Sequence, residues 1–260
     1  MNRRKFIYSS SLASLSVMGL NSCNIRNKDV KITILHTNDV HSQIEPFPFN
    51  HDKYPDRGGF ARRANIFKGL LKINPNTLIF DAGDIFQGTP YFNFFQGDLE
   101  LKLMKKMGYN AATIGNHEFD AGLNRLKKNI LNNNFQFISS NYDFTNTELE
   151  GLISKYKIYK KEGIKIGVFG LGIELNGLVN SSLYKETKYY DPVEITQEMT
   201  DILKNKENCD LIICISHLGH SYQNTKISDL KLGSLTSDID LIIGGHTHTF
   251  LKKPEIIKNL

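Results

Sequence analysis

Apolar residues in this chain fall into short, almost unbroken β-branched runs, separated by stretches where they recur every three or four positions. The runs predict strands near Val30–Thr37, Thr77–Ala82, Ala111–Ile114, Phe135–Ser139, Lys165–Gly170, Leu211–Ser216 and Leu241–Ile243. Runs without polar alternation are expected of strands covered on both faces. Between them, Phe60, Ala64, Phe67 and Leu71 recur at helical spacing over Gly59–Lys72, with Arg62, Arg63 and Lys68 elsewhere on the wheel. A second helix over Leu99–Met107 ends at Gly108, a residue that tolerates the left-handed terminating position. A third starts at Asp191-Pro192-Val193-Glu194, which supplies a capping carboxylate, a first-turn proline and a glutamate at the capping-box position. Strands alternating with helices predict an α/β fold, and no internal repeat interrupts the pattern.

Composition narrows the class. At 260 residues, 40% hydrophobic and 23% charged, the chain can bury the core of one catalytic domain. Its net charge of +5 is scattered, with no dense basic block interleaved with aromatics, so nucleic acid is not an expected partner. At the N-terminus, Arg3-Arg4 precede an apolar run, Ile7 to Leu20, that is diluted by serines and too short for a stable membrane span. The pattern resembles a twin-arginine export signal. The following Leu20-Asn21-Ser22-Cys23 resembles a lipoprotein lipobox, which implies cleavage before Cys23 and acylation of its thiol. The expected organisation is a signal over residues 1–23, a polar tether over 24–29 and a catalytic domain over 30–260. Such a protein is exported to the periplasm or cell envelope and touches the membrane only through a lipid on Cys23. Cys209 and Cys214 flank one strand-like run, Leu211-Ile212-Ile213, and extended chain holds them too far apart for a disulfide.

Candidate chemistry gathers at the ends of the predicted strands. Five clusters stand out: Thr37-Asn38-Asp39-Val40-His41; Asp81-Ala82-Gly83-Asp84; Gly115-Asn116-His117-Glu118-Phe119-Asp120; Ser216-His217-Leu218-Gly219; and Gly244-Gly245-His246-Thr247-His248. In open α/β sheets, sites form outside the carboxyl ends of the strands, so five such loops converge on one crevice. Asp-x-His and His-x-His each present two donors from one tight loop. A carboxylate and imidazole set without thiolate suits Zn, Mn, Fe or Co. Asp84 can bridge two ions through its two oxygens, and neighbouring glycines allow unusual backbone angles and close approach. Two ions about 3.5–4 Å apart can clamp the attacking and leaving oxygens of an in-line displacement.

These motifs, in this order, resemble those of the calcineurin-like metallophosphoesterases. The longer strings Ile34 to His41 and Gly115 to Asp120 narrow the resemblance to the 5′-nucleotidase branch, over roughly Val30 to Thr249. The resemblance implies a sandwich of two sheets covered by helices, with Asp39, His41, Asp84 and His248 on one ion and Asp84, Asn116, His217 and His246 on the other. It also implies that His117 stabilises the transferring phosphoryl group, that Asp120 orients and charges His117, and that a metal-bridging hydroxide attacks. The implied cofactors are two divalent ions, Zn or Mn foremost, with Co or Fe as alternatives.

The substrate expected is a small phosphate monoester, a nucleoside 5′-phosphate first. Branch members usually carry a C-terminal nucleotide-binding domain, which is not expected within these 260 residues; a separate chain that supplies it, or a less specific substrate, is a further expectation. The alternative keeps the metals and changes the substrate to a cyclic phosphodiester, a nucleotide sugar or a sulfur ester. A non-catalytic envelope binding protein ranks last, because every donor and the His117–Asp120 pair are intact. His36, His51 and His220 are expected to be structural. Glu118 is expected to support the ligands from behind, and Gln87-Gly88-Thr89 to serve loop geometry.

Overall fold

The computed structural model describes residues 29–257. The export signal, Cys23 and most of the tether lie outside the described residues. From Ile32 onward the chain groups into one unit. In chain order its strands are β1 (Thr33–Thr37), β2 (Thr77–Asp81), β3 (Ala111–Ala112), β4 (Tyr142–Asp143), β5 (Tyr156–Lys161), β6 (Ile164–Leu171), β7 (Lys188–Tyr189), β8 (Leu211–Ser216) and β9 (Leu241–Gly244). Its α-helices are α1 (Phe60–Ile73), α2 (Pro90–Phe95), α3 (Asp98–Met107), α4 (Leu123–Asn133), α5 (Ser181–Tyr184), α6 (Pro192–Asp201) and α7 (Asp229–Leu235).

Two sheets face each other. One is the parallel set β1-β2-β3; the other runs β5-β6-β8-β9, parallel except for β5. Strands β4 and β7 form a small antiparallel pair. Side-chain alternation builds the layers. Leu78 and Phe80 of β2 pack with Ile166 and Val168 of β6 and Ile213 and Ile215 of β8 in one buried cluster between the sheets. Ile79 points the other way, into a cluster with Phe67 of α1, Leu101 and Met104 of α3 and Ile130 of α4. Phe169, Leu171, Ile212 and Cys214 cover the far face of the second sheet against Met199 of α6 and Leu232 of α7. Each such side chain contributes about 1.5–3 kcal/mol when fully buried. The result is the helix, sheet, sheet, helix sandwich that the motifs implied.

Local signals behave as their chemistry dictates. Asp191 caps α6 by accepting from Val193 N at 2.8 Å and Glu194 N at 3.1 Å. Gly108 ends α3 at φ 88°. Two expectations change. The run Phe135–Ser139 makes only isolated bridges, Ala112 to Phe137 and Ile138 to Ser154. It adds only one parallel bridge to the edge of β3, at Phe137, and passes close to β6, with the Ile138 carbonyl oxygen 2.1 Å from where a Cβ on Gly170 would sit. β5, Tyr156-Lys157-Ile158-Tyr159-Lys160-Lys161, was not anticipated. It pairs with β6 through Glu162 and Gly163, both at positive φ (48° and 87°), as a two-residue hairpin turn of the primed type requires.

Candidate metal centre

Loops leaving β1, β2, β3, β8 and β9 meet at one place. Asp39, His41 and His248 set donor atoms within 4.8 Å of one another, and so do Asp84, His217 and His246. A third group joins His41 and Asp84 to His117, so Asp84 belongs to two groups. His41 Nε2 lies 3.0 Å from His248 Nε2, which is 3.5 Å from Asp39 Oδ1. Asn116 brings its side-chain oxygen 3.0 Å from His246 Nδ1. All seven donors singled out in the sequence are therefore gathered, and His117 pairs with Asp120 beside them at 2.7 Å. His36, His51 and His220 join none of these groups. His51 Nδ1 accepts from Tyr54 N, and His220 Nε2 lies 3.4 Å from Glu255.

The donor chemistry fits a cation at His217. This side chain is fully buried, and its Nδ1 donates to the Ala82 carbonyl at 2.6 Å. That leaves Nε2 as the nitrogen that can ligate, 3.0 Å from Asp84 Oδ2. A histidine whose second nitrogen is tied to a carbonyl has the tautomer and orientation of a metal ligand.

Backbone conformation also marks the site. Asp39 (φ 48°), His41 (45°), Asp84 (55°), His246 (75°) and His248 (51°) all adopt the left-handed region. Each costs about 1–2 kcal/mol outside glycine, so the surroundings must enforce it. They do so by lacing the loops together. Asp39 N donates to Gly83 O at 3.0 Å, His41 N to Asp84 O at 3.1 Å and Ser42 N to Ile85 O at 2.9 Å. His246 N donates to Asp39 Oδ1 at 2.9 Å. The buried Glu118 carboxylate accepts from Asp84 N, Ile85 N and Gly115 N at 3.0, 2.7 and 2.6 Å, joining the second loop to the third. Gly115 is required by contact: a Cβ there would lie 2.3 Å from Asp84 Oδ1 and 2.8 Å from His217 Nε2.

Charge follows the same plan. Burial alone would raise the Asp84 carboxyl, yet the His217 imidazole beside it holds it well below the usual range. Burial penalises charge on His217, but Asp84 outweighs it and lifts the imidazole to about 9, so a cation bound there must displace the Nε2 proton that faces Asp84. Burial lowers His246 to about 4 and lowers His41 as well, which favours the neutral form that ligation needs. His117 moves the other way because it is hydrogen-bonded to Asp120.

Gln87-Gly88-Thr89, expected to serve loop geometry, braces the first loop: Thr89 Oγ1 donates to Ser42 O at 2.6 Å, and a Cβ on Gly88 would lie 2.7 Å from His41 O. Sequence reasoning missed the support that two buried carboxyls give. Asp81, pushed up to about 8 by burial, accepts from Thr37 Oγ1 at 2.5 Å and Gly83 N at 2.9 Å. Asp229, raised to about 7 by burial, accepts from Ser216 Oγ at 2.6 Å and packs against Gly244, tying the ends of β8 and β9.

A helix-covered sandwich with imidazole, carboxylate and amide donors at its strand ends defines a class of α/β proteins suited to divalent metal ions. The chain belongs to the calcineurin-like phosphoesterase family, whose model matches residues 32–250. It is similar to the snake venom 5′-nucleotidase of Crotalus adamanteus, at 36% identity over 85% of this chain and 37% of that protein. It is also similar to the trifunctional nucleotide phosphoesterase protein YfkN of Bacillus subtilis (strain 168), at 31% identity over 88% of this chain and 16% of that one. The solved 5′-nucleotidase precursor of Thermus thermophilus superposes with a TM-score of 0.77 at 32% identity, covering 85% of this chain and 43% of that one. The chain spans less than half the length of each of these relatives.

Proposed function

We propose that this protein hydrolyses phosphate monoesters, nucleoside 5′-phosphates foremost, using two divalent ions. The observation that carries this is the overlap of donor groups at Asp84, with the His117–Asp120 pair beside them. Asp39, His41, Asp84 and His248 hold one ion; Asp84, Asn116, His217 and His246 hold the other. Zn or Mn suits the oxygen and nitrogen donor set first, with Co or Fe next. When bound, such a pair supplies Lewis acidity toward phosphoryl oxygens and toward water. Asp120 accepts from His117 Nδ1, which favours the imidazolium and leaves Nε2 to donate to the phosphoryl or leaving oxygen. The rigid, left-handed ligand loops keep the donors in place without reorganisation at the moment of reaction.

The nucleotide preference rests on likeness to 5′-nucleotidases and a nucleotide phosphoesterase, and the export signal with a lipid anchor at Cys23 rests on Arg3-Arg4 and Leu20 to Cys23 alone. Among the described residues, no helix is long and apolar enough to cross a membrane. A hydrolysis panel on the purified chain with Zn, Mn, Co or Mg decides the chemistry. It should hold AMP, UDP-glucose, a cyclic nucleotide and a chromogenic diester. Metal-dependent phosphate release, fastest from AMP, is expected; a diester hydrolysed faster than AMP overturns the monoester assignment.

A further inference from the structure

Lys226 lies over Tyr222, a ring packed beside the ligand loops, and has no ligand role of its own. The chain leaves β8 through His217 and turns at Gly219, φ 95°. Tyr222 folds back over that turn and donates its hydroxyl to Leu218 O at 2.6 Å. Its ring fills the space a side chain at Gly219 would need, since a Cβ there would lie 2.3 Å from the Tyr222 hydroxyl and 2.8 Å from Thr247 Cγ2. Thr247 sits between His246 and His248, and His220 N donates to its Oγ1 at 3.0 Å. Tyr222 is therefore wedged against the loops that carry three candidate ligands. Burial pushes its phenol up to about 12, so it remains a donor to Leu218 at working pH.

The Lys226 ammonium rides over this ring, 5.0 Å from its centroid. A tight turn delivers it. Lys226 N donates to Asn224 Oδ1 at 3.0 Å, while Lys231, in the first turn of α7, donates to Lys226 O at 3.2 Å and to Asn224 O. No carboxylate pairs with Lys226 among the described residues. A cation held on the face of a ring that is itself wedged beside the ligand loops, with no carboxylate partner, is matched to an anion that arrives from solvent.

We propose that Lys226, held by Tyr222, binds a non-bridging oxygen of the substrate's phosphate dianion and so supplies anion recognition from within this chain. The proposal rests on the phosphomonoesterase reading. A point charge that binds ground state and transition state alike should act on KM and leave kcat nearly unchanged.

The test uses the purified, metal-loaded full chain with Lys226→Met, Lys226→Arg and Tyr222→Phe. Calorimetry with inorganic phosphate is run beside AMP kinetics and metal analysis. Loss of one partly exposed charge-assisted contact should weaken phosphate binding and raise KM about tenfold in Lys226→Met. The metal content and kcat should stay at wild-type values, Lys226→Arg should recover most of the loss, and Tyr222→Phe, which keeps the ring and loses the anchor, should fall between. Phosphate binding and KM unchanged in Lys226→Met overturn the proposal. Should the wild type hydrolyse no ester, the catalytic reading fails separately, and the phosphate calorimetry still decides the role of Lys226.

Discussion

Replacing Gly115 by alanine probes the centre without touching a donor. The added Cβ would lie 2.3 Å from Asp84 Oδ1, 2.6 Å from Asp84 N and 2.8 Å from His217 Nε2. Ordinary contact needs about 3.5 Å, so the groups must part by roughly 1 Å. None can yield easily: Asp84 N is bound to Glu118, His217 is fully buried, and Asp84 Oδ1 accepts from His117 N at 2.8 Å. Overpacking of this kind costs about 1–3 kcal/mol, or roughly 2–4 °C of melting temperature per kcal/mol in a domain of this size. Ligand positions must hold to about 0.2 Å, so the functional loss should exceed the loss of stability. Melting curves in EDTA, metal analysis and AMP turnover measure the three effects. A few degrees of destabilisation, loss of at least one ion per chain and near-absent turnover are expected. Wild-type metal content and turnover in Gly115→Ala would refute the packing described around Asp84 and His217.

His117→Asn should lower kcat by about 10²–10⁴ while both ions remain bound, as general acid–base contributions are of that size; a parallel loss of metal would assign His117 to the ligands. Asp120→Ala removes the hydrogen bond that raises His117, so activity that depends on the imidazolium should be lost at lower pH than in the wild type; a pH–rate profile with an unmoved or upward-shifted limb contradicts this. In the metal-free protein, burial holds Asp81 at about 8 and Asp229 at about 7, against about 4 in the unfolded chain. The folded state then keeps protons that the unfolded state has lost, so stability should fall as pH rises from about 5 through about 8. Urea midpoints in EDTA should decline over that range, less steeply in Asp81→Asn; a rising midpoint counts against the buried neutral carboxyls. Adding Zn or Mn should raise the melting temperature and chelation reverse it, because ligation favours only the folded chain.

The site was more legible in the sequence than the scaffold that shapes it. Asp39, His41, Asp84, Asn116, His217, His246 and His248 stood out because ligation needs these residue types next to glycines, at the ends of apolar strands. Glu118, expected to support the ligands from behind, accepts from three backbone N–H groups of the second and third loops. The left-handed backbone at five of the donors left no trace, since Asp and His have no preference for it strong enough to read. The carboxyls of Asp81 and Asp229 look like surface acids until tertiary packing buries them. β5 was hidden because Tyr156-Lys157-Ile158-Tyr159-Lys160-Lys161, on a sheet edge, is half lysine and breaks strict alternation, a weaker signal than an unbroken apolar run. Phe135–Ser139 has strand composition, but its packing over Gly170 depends on residues some thirty positions away, beyond the reach of local pattern.

Anomalous diffraction from crystals loaded with Mn or Zn bears most directly on the proposed centre. Two peaks about 3.5–4 Å apart are expected, with Asp84 between them, His217 Nε2 on one and His41 and His248 on the other. A single peak, or peaks away from Asp84, would contradict the two-ion centre.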